Sequence, residues 1–321
     1  MTADTLTDLF EENRAVLTGV AYRMLGRVAD AEDVVQEAWL RWSAADREEV
    51  REPRAFLVRV TARLAIDRLR QVRSRREAYV GPWLPEPVVT AYGASVPDTA
   101  ERAVLADSVS LAVLVVLESL SPLERAVFVL REAFGFPYAE IATTLDRSEA
   151  AVRQLAGRAR RHVDERKPRY DVDPAQRRDL TERFLAAAAG GDLQQLLALL
   201  APDVRLVGDS GGKAKAPRRV VETADKVARF LFAVAHDQRA QDMAARIVEL
   251  NGGPALVLSL DGKADTVFQV EAIGGVIQDI YIIRNPDKLA GLSFPENRAV
   301  VLPEQGRSDS TRSRPFPFDP S

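Results

Sequence analysis

Residues 30–42 read Asp-Ala-Glu-Asp-Val-Val-Gln-Glu-Ala-Trp-Leu-Arg-Trp. The spacing predicts an acidic helix over 30–46, with Asp30 as its N-cap and Asp33 placed three residues on to complement the first turn. Working outward, residues 5–25 read as a preceding helix and Gly26 separates the two. On the other side Pro53 opens a third helix. There Phe56, Leu57, Val60, Leu64 and Leu69 recur at helical spacing, while Arg59, Arg63, Arg70 and Arg73 occupy the remaining faces. One side of that helix packs and the other faces phosphate.

The charge follows the same division. Residues 1–50 hold eleven Asp or Glu against five Arg, whereas residues 51–76 hold nine Arg against Glu52 and Asp67. Residues 147–169 add a second basic stretch of seven Arg and Lys167 against Glu149, Asp164 and Glu165. A solvated helix face is the plain explanation of any one such run, but two separated basic helices turn the reading toward nucleic acid. A net charge of −3 argues only against binding along the whole chain.

With 321 residues and 46% hydrophobic content, the chain is long enough for two or three compact units. It has no cysteine, which excludes disulfides, thiolate metal sites and a cysteine nucleophile, and His162 and His236 are too few for a histidine-rich metal centre. A reducing cytoplasm fits. No apolar run approaches a membrane span, and Asp4, Asp8, Glu11 and Glu12 near the start do not make a signal peptide. The expectation is a cytoplasmic protein with no metal, no cofactor and no membrane partner.

Beyond the third helix, residues 77–100 carry Gly81, Pro82, Pro85, Pro87, Gly93 and Pro97, an ordered or semi-extended linker. It contains Trp83-Leu84-Pro85-Glu86-Pro87, whose apolar side chains either dock on a neighbouring domain or pack locally. A second helical unit spans about 101–167. Ser121-Pro122-Leu123-Glu124 is a capped helix start, and Gly135 ends that helix. Residues 137–145, the turn at Asp146-Arg147 and the helix over 148–161 have helix-turn-helix spacing, with Arg153, Gln154, Arg158, Arg160 and Arg161 able to reach a major groove. An ordinary helical hairpin has the same spacing.

From about Asp171 the pattern changes. Residues 174–200 read as two helices hinged at Gly190-Gly191, with Asp192 capping the second, and 222–236 as another. Strands are expected at 204–207, 244–249, 255–260, 266–271 and 276–283. The fold class is therefore two all-α units followed by an α+β cone with a curved, mostly antiparallel sheet. His236 and Asp209 are candidate acid–base groups, with surface or turn roles the plainer reading. Gly211-Gly212-Lys213 lacks the spacing of a phosphate-binding Walker loop. Residues 291–321, rich in Pro and Ser, read as a disordered tail.

On these residues the chain resembles a sigma-70 family factor of the extracytoplasmic-function type. It is similar to the group in which a SnoaL-like domain is fused behind the sigma regions. The resemblance implies region 2 at 1–77, a linker at 78–105, region 4 at 106–168, a SnoaL-like regulatory domain at 172–290 and the tail at 291–321. It implies that Asp33, Gln36, Glu37, Trp39 and Leu40 dock on the beta-prime clamp helices of core RNA polymerase, although Trp39 and Trp42 equally read as core. Phe56, where many relatives carry Trp, would melt and read the minus-ten element of promoter DNA with Arg59, Arg63, Arg68, Arg70, Arg73, Arg75 and Arg76. Arg153, Gln154, Arg158, Arg160 and Arg161 would read the minus-thirty-five element, with region 4 meeting the beta flap.

Three further segments carry the likeness to the fused group: Trp83, Leu84 and Pro85 in the linker; Asp209 to Lys213; and Asn285 to Leu289. Ser210 stands where the group has glycine. The resemblance implies that Asp209, Gly211, Gly212, Lys213, Asn285, Pro286, Asp287 and Lys288 lie near the linker and regulate the factor in cis, with no catalysis. A small-molecule ligand in the cone stays open, as do two other readings: a ligand-sensing helix-turn-helix regulator, and a SnoaL-type isomerase or cyclase fused to a DNA-binding module.

Overall fold

The computed structural model describes residues 3–45, 50, 52–76, 78–91, 110–165, 174–189, 192–236 and 243–292. Helices α1 (Ala3–Leu25), α2 (Val28–Ala44) and α3 (Pro53–Arg76) form the first bundle. Gly26 adopts φ +70° between α1 and α2, and its N–H donates to Tyr22 O at 2.7 Å, closing α1 as a left-handed cap does. The start of α2 differs from the expectation. Arg27 occupies the N-cap position, and Asp30 lies inside the first turn, where its buried carboxylate pairs with Arg68 at 2.7 Å. That placement suits the helix dipole and ties α2 to α3.

The second helical unit contains α4 (Leu111–Leu117), α5 (Pro122–Phe128), α6 (Tyr138–Leu145) and α7 (Glu149–Asp164). Ser121 and Glu124 make the expected capping box at α5, which runs into a π-helical turn, Val129–Ala133, before Gly135. Asp146 takes a left-handed φ of 53° between α6 and α7, and Ser148 caps α7, as helix-turn-helix spacing requires. The two helical units are not separate bodies: Leu57 and Leu69 of α3 share one apolar core with Leu117, Leu130, Ile141 and Val152.

In the third unit α8 (Pro174–Ala189) and α9 (Leu193–Leu199) precede β2 (Leu200–Asp209), with Asp192 capping α9 through the Gln195 N–H at 2.9 Å. Then come β3 (Val221–Glu222), α10 (Ala224–Ala235), β4 (Ala244–Leu250), β5 (Gly253–Leu260), β6 (Lys263–Ile273), β7 (Val276–Ile283) and a short helix, α11 (Pro286–Leu289). The seven-stranded sheet has the order β1-β4-β5-β6-β7-β2-β3, antiparallel except for the parallel pair β2 and β7. Its edge strand β1 (Val89–Ala91) is contributed by the linker, with Val89 opposite Leu250. One sheet face packs Phe268, Ile280 and Ile282 against Phe184 and Leu231 of α8 and α10. The other packs Val257, Val267 and Ile283 against Leu84 and Val89 of the linker and Leu111 of α4. The linker is thus sandwiched between the helical half and the sheet. The helix start expected at 101–109, the hinge at Gly190-Gly191 and the tail from residue 293 lie outside the described residues.

Candidate functional site

On α2, Asp33, Gln36 and Leu40 are exposed on the outer face, with Leu40 54% accessible, an apolar side chain standing free among polar ones. Glu37 beside them pairs with Arg41 at 3.1 Å. Trp39 is turned inward, edge-on to Phe10 at 5.0 Å between centroids, and Trp42 is buried with its indole N–H donating to Leu6 O at 3.1 Å. Both tryptophans belong to the core, and Trp39 supports the exposed face from beneath.

The basic helix α3 is mostly engaged. Phe56 packs 5.7 Å from Trp42, and the Arg59 guanidinium lies 5.3 Å over the Phe56 ring. Arg63 donates to Thr144 O of α6 at 2.8 Å, Arg68 holds Asp30, and Arg73 donates to the carbonyls of Glu118 and Leu120. Arg54 and Arg70 are exposed, Arg54 lying 5.8 Å over the Phe136 ring and Arg70 paired with Asp67 at 3.0 Å. Arg75 and Arg76 lie on the last turn of α3, with their side chains outside the described residues. Between α3 and α6 a cavity of about 230 Å³ is lined by Phe56, Arg59, Phe136, Glu140 and Thr144. The phosphate-facing surface expected of α3 is in part a contact surface for the second helical unit. Alternating charge could not reveal this, because the partner is 81 residues away in sequence at Arg63.

On α7, Arg153, Gln154, Arg158, Arg160 and Arg161 are all exposed along one helix. Arg153 pairs with Glu149 at 2.5 Å, Arg158 with Glu124 at 3.3 Å and Arg160 with Glu132 at 2.7 Å. The Glu132 hydrogen bond raises the Arg160 guanidinium above its ordinary value, and the Ser121 hydroxyl lowers Glu124. Such exposed pairs hold arginines in place at little cost in stability when phosphate replaces them.

Sequence reasoning missed the bond between the helical units. Arg125 is fully buried. Its Nε donates to Arg23 O at 2.9 Å, closing the end of α1, and its Nη1 pairs with Glu118 at 2.5 Å. Arg23 in turn lies 5.0 Å over the Phe134 ring.

At the linker the three segments singled out from sequence do come together. Asp209, fully buried at the end of β2, accepts from the Tyr79 hydroxyl at 2.5 Å, from the Leu84 N–H at 2.8 Å, from the Gly211 N–H at 3.1 Å and from Lys288 Nζ at 2.5 Å. Lys288, also buried, donates to Leu84 O and stands 4.0 Å from the Trp83 ring centroid and 5.3 Å from that of Tyr79. Its desolvation is offset by one carboxylate, one carbonyl and two aromatic faces. Asn285 caps α11 through the Asp287 N–H at 3.1 Å and donates to the Tyr79 hydroxyl at 2.7 Å, while Pro286 opens α11 and Lys213 pairs with Asp287 at 2.5 Å. Burial, with the Asp209 carboxylate beside it, pushes the Tyr79 phenol up.

Gly211 and Gly212 have φ of +57° and +75°, and a Cβ on Gly211 would meet Asn285 Nδ2 at 2.6 Å. Ser210 is outside that left-handed pair. Its hydroxyl accepts from Gly212 N–H at 3.3 Å, so serine fits where the group carries glycine. His236 stacks on Phe232 at 4.1 Å at the end of α10. Asp209 is taken by the linker, so the structure does not join these two as an acid–base pair.

Glu86, Asn251 and Gly26 complete the junction in roles that the sequence did not announce. Glu86 uses every polar group toward the helical half: its N–H donates to Gly26 O at 2.8 Å, its carbonyl accepts from the Tyr22 hydroxyl at 2.8 Å, and its carboxylate accepts from Val28 N–H at 3.1 Å. Burial raises the Glu86 carboxyl. Asn251 exchanges hydrogen bonds with Val88, through Val88 N–H at 3.1 Å and Val88 O at 2.9 Å, and donates to the Tyr22 hydroxyl at 2.8 Å. The would-be Cβ of Gly26 lies 2.6 Å from Trp83, which requires glycine there. Asn251, with its left-handed φ of 49°, resembles an ordinary turn residue in sequence.

Comparison with known proteins follows the same division. The family model for sigma-70 region 2 matches residues 9–76 and that for sigma-70 region 4 matches residues 110–163. Over 300 residues, 90% of this chain and 95% of the relative, the sequence is 43% identical to the ECF RNA polymerase sigma factor SigJ of Mycobacterium tuberculosis. It is 40% identical over 205 residues to the probable ECF RNA polymerase sigma factor SigI of the same organism, covering 63% of this chain and 69% of that one. The crystal structure of the M. tuberculosis extracytoplasmic function sigma factor SigJ aligns with a TM-score of 0.71 at 39% identity, covering 89% of this chain and 98% of that one.

Proposed function

The chain belongs to the extracytoplasmic-function sigma factors of the sigma-70 family, in the SigJ-like group with a fused C-terminal domain, and on that premise we propose how its surfaces divide the work. It binds core RNA polymerase and directs it to promoter DNA. The outer face of α2, with Asp33, Gln36, Glu37 and Leu40, docks on the beta-prime clamp helices, and Trp39 holds that face from within. On α3, Phe56, Arg59, Arg63 and Arg70 serve the minus-ten element, and on α7 Arg153, Gln154, Arg158, Arg160 and Arg161 serve the minus-thirty-five element while the unit rests on the beta flap. Arginine suits both tasks, neutralising phosphate and offering a planar fork to base edges. Arg68 and Arg73 hold the fold, to Asp30 and to the end of α4.

The observation that carries the regulatory reading is Asp209, whose carboxylate takes the Tyr79 hydroxyl and the Leu84 N–H of the linker together with Lys288. A linker claimed at Leu84 and Val88 by the C-terminal domain and at Glu86 by the helical half cannot leave one without disturbing the other. The C-terminal domain therefore sets whether α3 stays packed on α6 or turns to the promoter. Its role is control rather than catalysis, consistent with Asp209 being engaged and with the helix-facing side of the sheet being filled by Phe184, Leu206 and Ile280. Among the described residues no helix is long and apolar enough to cross a membrane.

Run-off transcription with purified core polymerase on the chain's own upstream DNA tests this. Transcripts should depend on the added chain and change when it is truncated before Asp171. Failure of every form to bind core polymerase would remove the reading.

A further inference from the structure

We infer that the loop 213–219 of the C-terminal domain is a contact surface for the phosphate backbone of promoter duplex, beside the chain that follows α3; this rests on the reading that α3 faces the promoter. The loop reads Lys213-Ala-Lys215-Ala-Pro-Arg218-Arg219, and all four cations are exposed. Asp287 neutralises Lys213. Among the described residues no carboxylate lies within ion-pair distance of Lys215, Arg218 or Arg219. In the sigma half Arg41, Arg70, Arg153, Arg158 and Arg160 each sit against a carboxylate of the chain, while the exposed Arg54, Arg63, Arg147 and Arg161 are turned to a ring or to carbonyl oxygens. Three cations held close without counter-charge repel one another, and a polyanion relieves that repulsion.

The loop is also held in shape. Lys213 N–H donates to Ser210 O at 2.9 Å, and the Lys215 carbonyl accepts from Arg284, whose other nitrogen is fixed by Asp265 at 2.6 Å. Pro217 packs on Gly208 so closely that a Cβ there would come within 2.9 Å of its ring. The cations thus project from an ordered backbone, which lowers the entropy lost on binding. Position selects the partner. A Cβ placed on Gly212 would lie 3.2 Å from Val80, and one placed on Gly81 would lie 3.6 Å from the Arg218 backbone, so the loop flanks the chain just after the last turn of α3. A duplex lying along that end of α3 meets the loop in the same pass, whereas an acidic protein surface has no such continuity to recommend it.

The test uses holoenzyme assembled from full-length chain and core polymerase. A fluorescent duplex carrying the chain's own upstream DNA is titrated by anisotropy over a series of NaCl concentrations. The variant Lys215→Ala/Arg218→Ala/Arg219→Ala should flatten the slope of log K against log salt by about 2.7, since each lost phosphate contact carries about 0.9. The charge-keeping Lys215→Arg/Arg218→Lys/Arg219→Lys should retain the wild-type slope. An unchanged slope in the alanine variant overturns the proposal, as does an unchanged slope with weaker binding of core polymerase, which would assign the loop to an acidic protein surface. The two readings separate cleanly: if wild type initiates transcription and the slopes are equal, the loop assignment falls alone; if wild-type holoenzyme neither binds the duplex nor initiates, the promoter-facing reading of α3 falls and the loop assignment with it.

Discussion

At the scale of single residues the junction is a buried ion pair whose two members differ in what they leave behind. Asp209→Ala strands Lys288, the Leu84 N–H and the Tyr79 hydroxyl together, and should cost about 3–5 kcal/mol in urea unfolding. Lys288→Met leaves Asp209 with three donors and should cost clearly less. Reversal of that order would show that the cation, not the carboxylate, organises the linker. Glu271, buried on β6 with no hydrogen bond to its carboxyl among the described residues, is pushed by burial up to about 7. Its folded value is raised, so its contribution is intact below the unfolded value and is lost as pH rises from about 4.5 through about 7. Glu271→Gln should leave stability near pH 4 little changed and raise it by about 3 kcal/mol at pH 8, measured by denaturant titration at the two pH values.

At the scale of elements, α2 begins without a cap of its own and receives one from Glu86 in the linker. Glu86→Ala should cost about 1 kcal/mol and speed amide exchange in the first turn of α2, while Glu86→Gln keeps an acceptor and should be milder. Arg27→Ser, placed at the N-cap itself, should restore protection in the Glu86→Ala background. No restoration would mean that Glu86 acts on the linker rather than on the helix. The elements were largely legible beforehand: Pro53, the box of Ser121 and Glu124, and Asp192 each mark a start through local chemistry, and strands β4 to β7 through alternation. What escaped was set from a distance. Asp30 looked like a cap because its partner Arg68 lies in another helix. The linker strand β1 had no alternation to announce it, because its pairing with β4 is decided by a sheet far along the chain. The basic face of α3 was legible as charge, but its packing on α6 was not.

At the scale of the whole molecule, the helical units are closed on one another by Arg63, Arg73 and Arg125, each of which ends a helix of another segment through carbonyl oxygens. Arg125→Ala should open the chain, removing the hydrogen bond to Arg23 O and the ion pair to Glu118. Small-angle scattering should show a larger radius of gyration for the variant, and an unchanged radius would place the closure in the linker alone. The strand β1 also gives the molecule a history. During synthesis Val89 leaves the ribosome well ahead of Leu250, the residue it pairs with. At about 5–20 residues per second that interval is roughly 8 to 30 s. Every newborn copy therefore passes through a period in which α2 and α3 are complete and the C-terminal sheet does not yet hold the linker, so each chain is a factor before it is a governed one.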